Sequence, residues 1–120
     1  MPDEPTSSTS GALGDPPQQD VSVTNAARQH RYEISLDGTR AGFTQYLDRG
    51  NQRIFFHTEI DEAFAGLGLA GKLISQALTD TRSTGMRVVA VCPFVARYLE
   101  KHHDFDDITD PVTPEVLAAV

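Results

Sequence analysis

The sequence predicts a mixed α/β fold: an antiparallel meander of three strands, then a helix, a strand parallel to its partner, and a second helix. Three observations point there. Apolar and polar residues alternate across residues 31–60, broken by turn dipeptides. From Leu69 the apolar period lengthens from two to about 3.6. Residues 86–92 are then apolar on both faces apart from Arg87, as a strand covered on both sides must be.

Taken in order, Tyr32, Ile34 and Leu36 alternate with Arg31, Glu33 and Ser35 and give the first strand. Asp37-Gly38 follows, a dipeptide that tolerates positive φ and turns the chain. Ala41, Phe43 and Leu47 continue the alternation in a second strand ending near Asp48. Arg49-Gly50-Asn51-Gln52 supplies the next turn. The third strand covers residues 53–60. Ile54, Phe56, Thr58 and Ile60 are expected on one face, with Phe55, His57 and Glu59 on the other. Leu69, Leu73, Ile74, Ala77, Leu78 and Thr81 form one stripe of a helix that stops at Gly85. A strand–helix–strand unit of this kind makes a right-handed crossover. Val95, Tyr98, Leu99 and His102 form a second helical stripe. Pro111 and Pro114 mark a loop, and residues 114–120 can add a short helix.

A chain of 120 residues suits one domain. Residues 1–25 read as a disordered acidic tail: they hold Asp3, Glu4, Asp15 and Asp20 and no Lys or Arg. The first 20 offer too little apolar surface to offset the entropy of ordering. The domain is expected over residues 26–110, with residues 111–120 as a C-terminal tail or short helix. Ten Lys and Arg face 17 Asp and Glu, a net charge of -7. Residues 26–103 hold all ten bases and eight acids, so a mildly basic centre lies between two acidic ends. That balance argues against a nucleic-acid partner, which needs clustered base charge. No apolar run approaches the roughly 18–20 residues that span a bilayer, so no membrane partner is expected. Cys92, the single cysteine, has no disulfide partner in the chain, which fits a reducing, cytoplasmic location. No Cys/His spacing suggests zinc. His102 and His103 point about 100° apart on a helix, so no metal site is expected.

The stretch with chemical content is Phe64-Ala65-Gly66-Leu67-Gly68-Leu69-Ala70-Gly71, between the third strand and the first helix. Small residues there let a ligand approach the backbone. Free amides at a helix start favour an anion such as a pyrophosphate. The same glycines would also serve a plain tight turn. A dinucleotide fingerprint fits poorly, because no βαβ unit opens the chain. A P-loop is excluded by the missing Gly-Lys-Ser/Thr.

A meander, a Gly-rich turn opening a helix, a buried strand and an amphipathic helix together resemble the GCN5-related N-acetyltransferase (GNAT) fold. In that superfamily the turn reads R/Q-x-x-G-x-G/A. Here Gly68 and Ala70 match, and Ala65 stands where Arg or Gln is usual. Phe56-His57-Thr58-Glu59-Ile60, the turn, Val91-Cys92-Pro93-Phe94-Val95, Tyr98 and His102-His103 are similar to the small, minimal GNAT-like family that lacks the C-terminal half of a full domain. The resemblance runs from about Arg31 to Ile108. It implies an acetyl-CoA-dependent N-acetyltransferase. The amides of Leu67, Gly68, Leu69, Ala70 and Gly71 would hold the pyrophosphate. The backbone of Glu59 and Ile60 would follow the pantetheine. Lys72 would meet the remaining phosphate charge.

Four side chains are candidates for the chemistry. Cys92 ends the buried strand beside Glu59 and Ile60, at the carboxyl edge where parallel sheets bind ligands. It is either a structural thiol or, as the resemblance implies, an acetyl acceptor or pocket wall. His57, sharing a face with Glu59, can take a proton from an amine, and Glu59 can instead order a relaying water. Either can equally be a surface or packing residue. Tyr98 loosely matches a tyrosine that protonates the leaving thiolate in many full GNAT enzymes, and it also suits core packing. The expected partner is an amine acceptor, a small molecule or a protein lysine. The alternatives are a non-catalytic acyl-CoA-binding or regulatory module, and an interaction protein whose acidic ends recruit a basic partner.

Overall fold

The structure, a computed structural model, describes residues 20–120. A six-stranded mixed sheet runs in sequence order: β1 (Val21–Ala26), β2 (Arg31–Leu36), β3 (Thr39–Arg49), β4 (Gln52–Ile60), β5 (Arg87–Ala90) and β6 (Thr109–Asp110). β1 to β4 form the antiparallel meander, β5 lies parallel to β4, and β6 parallel to β5. Helices α1 (Leu69–Ser83) and α2 (Pro93–Lys101) cover one face, where Tyr32, Ile34, Phe55, Leu73, Val88 and Val95 are buried together. On the other face α3 (Pro114–Ala119) places Val116 against Ile54 and Val89. Val88 and Val89 thus face opposite layers, which is why β5 carries no polar face. The six buried residues of α1 are the six that the helical period selects.

Four details depart from the sequence expectation. The sheet begins at Val21, within the stretch read as a tail. Val21 and Val23 pack on the core, and Asn25 accepts a hydrogen bond from the Tyr46 hydroxyl at 2.7 Å. With two valines and then only Ala26, this edge strand shows no alternation long enough to notice. Residues 1–19 of the expected tail lie outside the described residues. In β3 the register shifts opposite Ile34 and Ser35, so Ala41 is an extra residue. Beyond it Thr44 and Tyr46 turn inward, while Phe43 and Leu47 face the opposite side from Ala41. β4 carries a second shift at Phe56, between His57 and Phe55. Phe55 and Thr58 therefore both face the helices, and Phe55 does not share a face with His57 and Glu59. Finally, β5 is shorter than expected, and β6 adds a parallel edge.

A buried arginine ties the meander to α1. Arg53 donates two hydrogen bonds to Asp48, at 2.8 and 2.9 Å, and a third to the Tyr32 hydroxyl at 2.7 Å. Its guanidinium also lies 4.3 Å from the Tyr46 ring centroid. Tyr32 in turn donates to Asp80 on α1. Burial first, then the bond to Asp80, pushes the Tyr32 hydroxyl above the ordinary phenol range. The bond to Asp48 raises the Arg53 guanidinium against the opposing cost of burial. A charge so placed is held by its hydrogen bonds, as a buried charge must be.

Two predictions follow from contacts across the sheet. A Cβ at Gly42 would collide with the Glu59 carbonyl oxygen and lie 2.6 Å from Ile60 Cδ1. Gly42→Ala is expected to lower stability by about 1–3 kcal/mol, the scale of overpacking, read by thermal melting. Asp110 accepts from Gln52 at 2.9 Å and from Arg87 at 2.7 Å, and these bonds, Gln52 first, hold its carboxyl below the usual range. A lowered folded value means that the ionised group stabilises above its unfolded value of about 4, and that this is lost as pH falls through the folded value. Asp110→Asn should therefore melt lower than the parent near neutral pH, with the gap closing on acidification below about pH 4.

Candidate active site

The site is built where β5 leaves β4. Strand pairing ends at Phe55 and Ala90, and the amides of Val91 and Cys92 both donate to the Phe55 carbonyl at 2.9 Å. Past this point the edge of β4 from Phe56 to Ile60 has no neighbour in β5. A cleft of about 470 Å³ lies there, lined among others by Thr58, Glu59, Ile60, Gly68 and Phe94. Two further grooves, of about 160 and 800 Å³, share Gly68, Ala70, Gly71 and Phe94 with it or with each other. All three border the first turn of α1.

That turn is open to a ligand. Gly66 and Gly68 hold φ of +81° and +73°, a left-handed backbone in which a side chain is strained. A Cβ on either would meet no atom within 4 Å, so the space above them is free. Gly68 is the N-cap residue of α1, and no side chain caps the helix. The first amides of α1 therefore keep their donors, next to the positive end of the helix dipole. Leu67, Gly68 and Gly71 are exposed and Ala70 half-buried, while the Leu69 side chain is in the core. The Lys72 side chain is exposed and lines the larger groove, one turn into the helix. These residues fit a bound pyrophosphate through backbone donors. Ala65 offers no side-chain contact to it.

His57 and Glu59 stand together on the open face of β4, with His57 Nε2 2.7 Å from Glu59 Oε2. A carboxylate only accepts, so the contact assigns the imidazole proton to Nε2 and leaves the lone pair on Nδ1. Both side chains are about half exposed, so the bond orients more than it stabilises. Glu59 also lines the cleft.

Cys92 is elsewhere. It is 2% exposed, faces the helix side, and donates from Sγ to Thr58 Oγ1 at 3.2 Å. Thr58 is in turn 2.9 Å from Thr44 Oγ1. The thiol thus ties α2 to β4 and β3 in a buried row where the backbone ladder has ended. Tyr98 is also apart from the His57–Glu59 pair. It stacks on His102 with ring centroids 4.2 Å apart, and it lines the two outer grooves, not the cleft. The structure therefore brings Glu59 and the Gly-rich turn to one cleft, sets His57 beside Glu59 on the open face of β4, and leaves Cys92 beneath the cleft and Tyr98 beyond it. Thr58 and Phe94 were not singled out from the sequence. Phe94, apolar yet 48% exposed directly after Pro93, is the position whose pattern could have drawn notice. Among the described residues no three His, Cys, Asp or Glu side chains converge as a metal site would need, and no helix is long and apolar enough to cross a membrane.

The chain matches a family model described as GCN5-related N-acetyl-transferase over residues 31–108, from β2 to the turn before β6. Among solved structures, the solution structure of a GCN5-like candidate N-acetyltransferase from Staphylococcus aureus superposes with a TM-score of 0.59 at 19% identity. That alignment covers 78% of this chain and 91% of the other. Ard1 from Thermoplasma volcanium gives a TM-score of 0.46 at 19% identity, over 52% of this chain and 43% of that one. No curated protein sequence matches this chain.

The burial of Cys92 predicts its reactivity. A thiol reagent such as iodoacetamide should leave Cys92 largely unmodified in the native protein and label it fully in denaturant, read by intact mass. Rapid stoichiometric labelling of the native protein would contradict the buried Cys92–Thr58 contact.

Proposed function

The chain belongs to the GCN5-related N-acetyltransferase family, and on that premise we propose that it moves an acetyl group from acetyl-CoA to an amine. The observation that carries the reading is the uncapped start of α1, with two left-handed glycines under open space, beside a cleft that reaches Glu59. The amides of Leu67, Gly68, Leu69, Ala70 and Gly71 hold the pyrophosphate, Lys72 adds charge from the adjoining groove, and the free edge at Glu59 and Ile60 receives the pantetheine. Bound acetyl-CoA supplies an activated thioester. The His57–Glu59 pair takes the proton that the amine loses as its nitrogen bonds to the acetyl carbon. His57 Nδ1 is the available lone pair. The carbon–sulfur bond breaks and the sulfur leaves as thiolate; the proton held by the His57–Glu59 pair returns to it through solvent, so amine and thioester become amide and thiol without a covalent enzyme intermediate.

Direct transfer is favoured over an acetyl-Cys92 intermediate because the thiol is buried and already donates to Thr58. Tyr98, turned toward His102, supports a place along the outer groove more than a part in proton transfer. A cytoplasmic location completes the proposal, since a chain with one unpaired cysteine suits a reducing compartment. The second reading, a non-catalytic acyl-CoA-binding module, would keep the turn and have no need of His57 next to Glu59.

Acetyl-CoA is expected to raise the melting temperature by mass action. Gly68→Val should abolish that shift. Gly50→Val should keep it, because Gly50 shares a positive φ of 60° but lies at the far end of β4. In thiol-release assays with an acceptor amine, His57→Ala and Glu59→Gln should each lower the rate by roughly 10²-fold, the usual scale of a general base. Cys92→Ser, which keeps a donor to Thr58, should retain most activity. An acetyl mass on Cys92 that turns over at the steady-state rate would replace direct transfer with a two-step route. Acetyl-CoA binding without turnover for any amine would favour the binding-module reading.

A further inference from the structure

The open face of the sheet, opposite α1 and α2, carries charges that the proposed proton transfer does not use. Strand pairing sets Glu33, Phe43 and Glu59 in one row across β2, β3 and β4, and Arg31, Gln45 and His57 in the next. Directly paired residues share a face, with Cβ atoms about 5 Å apart. Glu33 lies 2.7 Å from Arg31 and 3.4 Å from Arg40. Both guanidiniums stand near the Phe43 ring, at 4.9 and 5.8 Å from its centroid. Among the described residues one carboxylate thus answers two guanidiniums, and one positive charge is left over. On the far side of Phe43, Glu59 is bonded among the described residues to His57 alone and borders the cleft. A positive pole and a negative pole share this face with an aromatic ring between them, in a chain whose net charge is -7.

Resting on the acyl-transfer reading above, we propose that this face selects the acceptor, and that the acceptor is a small zwitterion whose primary amine and carboxylate are several carbons apart. The amine docks at Glu59 and His57, where its proton is taken. The carboxylate meets Arg31 and Arg40, and the methylenes lie along Phe43. The poles are one to two strand spacings apart, about 5–10 Å, which a chain of about four to six carbons spans. A diamine or polyamine fits worse, because its second ammonium would sit against two guanidiniums that Glu33 only half neutralises. Arg31, Arg40 and Phe43 are then residues that set specificity, while the thioester chemistry stays at the cleft.

The test compares two amines of similar length, ε-aminocaproate and cadaverine, with acetyl-CoA as donor and thiol release as readout. The wild-type chain should favour ε-aminocaproate in kcat/KM by roughly tenfold or more, the scale of one charge-assisted hydrogen bond. Arg40 is exposed on its strand, so Arg40→Glu should fold as the parent does and shift the ratio at least tenfold toward cadaverine. Arg31→Gln should shift it the same way by less. The proposal is overturned if the wild-type chain uses cadaverine as well as ε-aminocaproate, or if neither arginine variant moves the ratio. It is also overturned if both amines are inert while acetyl-CoA still raises the melting temperature, an outcome that leaves acyl-CoA binding standing. Absence of any acetyl-CoA shift would instead remove the acyl-transfer reading beneath it.

Discussion

One carbonyl decides where this protein can have a site. The Phe55 oxygen accepts from both Val91 and Cys92, so the ladder between β4 and β5 ends there. Had the parallel pairing continued, Glu59 and Ile60 would be capped by strand amides and no cleft would exist. A sheet that opens in this way leaves backbone polar groups without strand partners, which the fold otherwise avoids. The gap is held by other means. The row Cys92–Thr58–Thr44 bridges α2 to the meander with three buried side chains in place of a backbone ladder. The close approach of Gly42 to Glu59 and Ile60 fixes the end of β4 from its other edge. Arg53, bound to Asp48 and Tyr32, holds the opposite end of the same strand to β3 and α1 through Asp80.

Much of the fold was legible because burial writes a period into the sequence. The α1 stripe emerged whole, since every third or fourth residue from Leu69 to Thr81 must be apolar or small to meet the sheet. The first strand of the expected meander, Tyr32 to Leu36, was equally plain. The errors sit at the two β-bulges. A bulge adds one residue and reverses which parity faces the core, and no residue type announces it. Ala41 and Phe56 each look like ordinary members of an alternating run, so Phe43 was grouped with Ala41 and Phe55 with His57. The edge strand Val21–Ala26 was missed for a different reason. It half-buries only two valines, and its order comes from pairing with β2 and from the Asn25–Tyr46 bond, both long-range.

The site was partly legible for the same physical reasons. A Gly-rich start to a helix is a local feature, and the turn is found where its composition put it. His57 and Glu59 are two residues apart on one strand, so their meeting is also local. Cys92 and Tyr98 depended on where α2 lies relative to β4, which periodicity does not encode. Their side chains point to the core and to the outer groove, away from the imidazole–carboxylate pair.

The bulge at Phe56 links the fold to the chemistry more closely than the motif residues do. Without that extra residue, strict alternation from Phe55 would place His57 and Glu59 toward α1 and α2, among the apolar core. There the imidazole–carboxylate pair would need desolvation that a single hydrogen bond does not repay. With it, both face the open side of the sheet beside Phe43, while Thr58 takes the inward place and holds Cys92. One inserted residue thus divides the cleft in two. The inner wall becomes a neutral hydroxyl–thiol row that fixes the geometry. On the outer side Glu59 borders the cleft and holds His57 beside it on the face opposite α1 and α2.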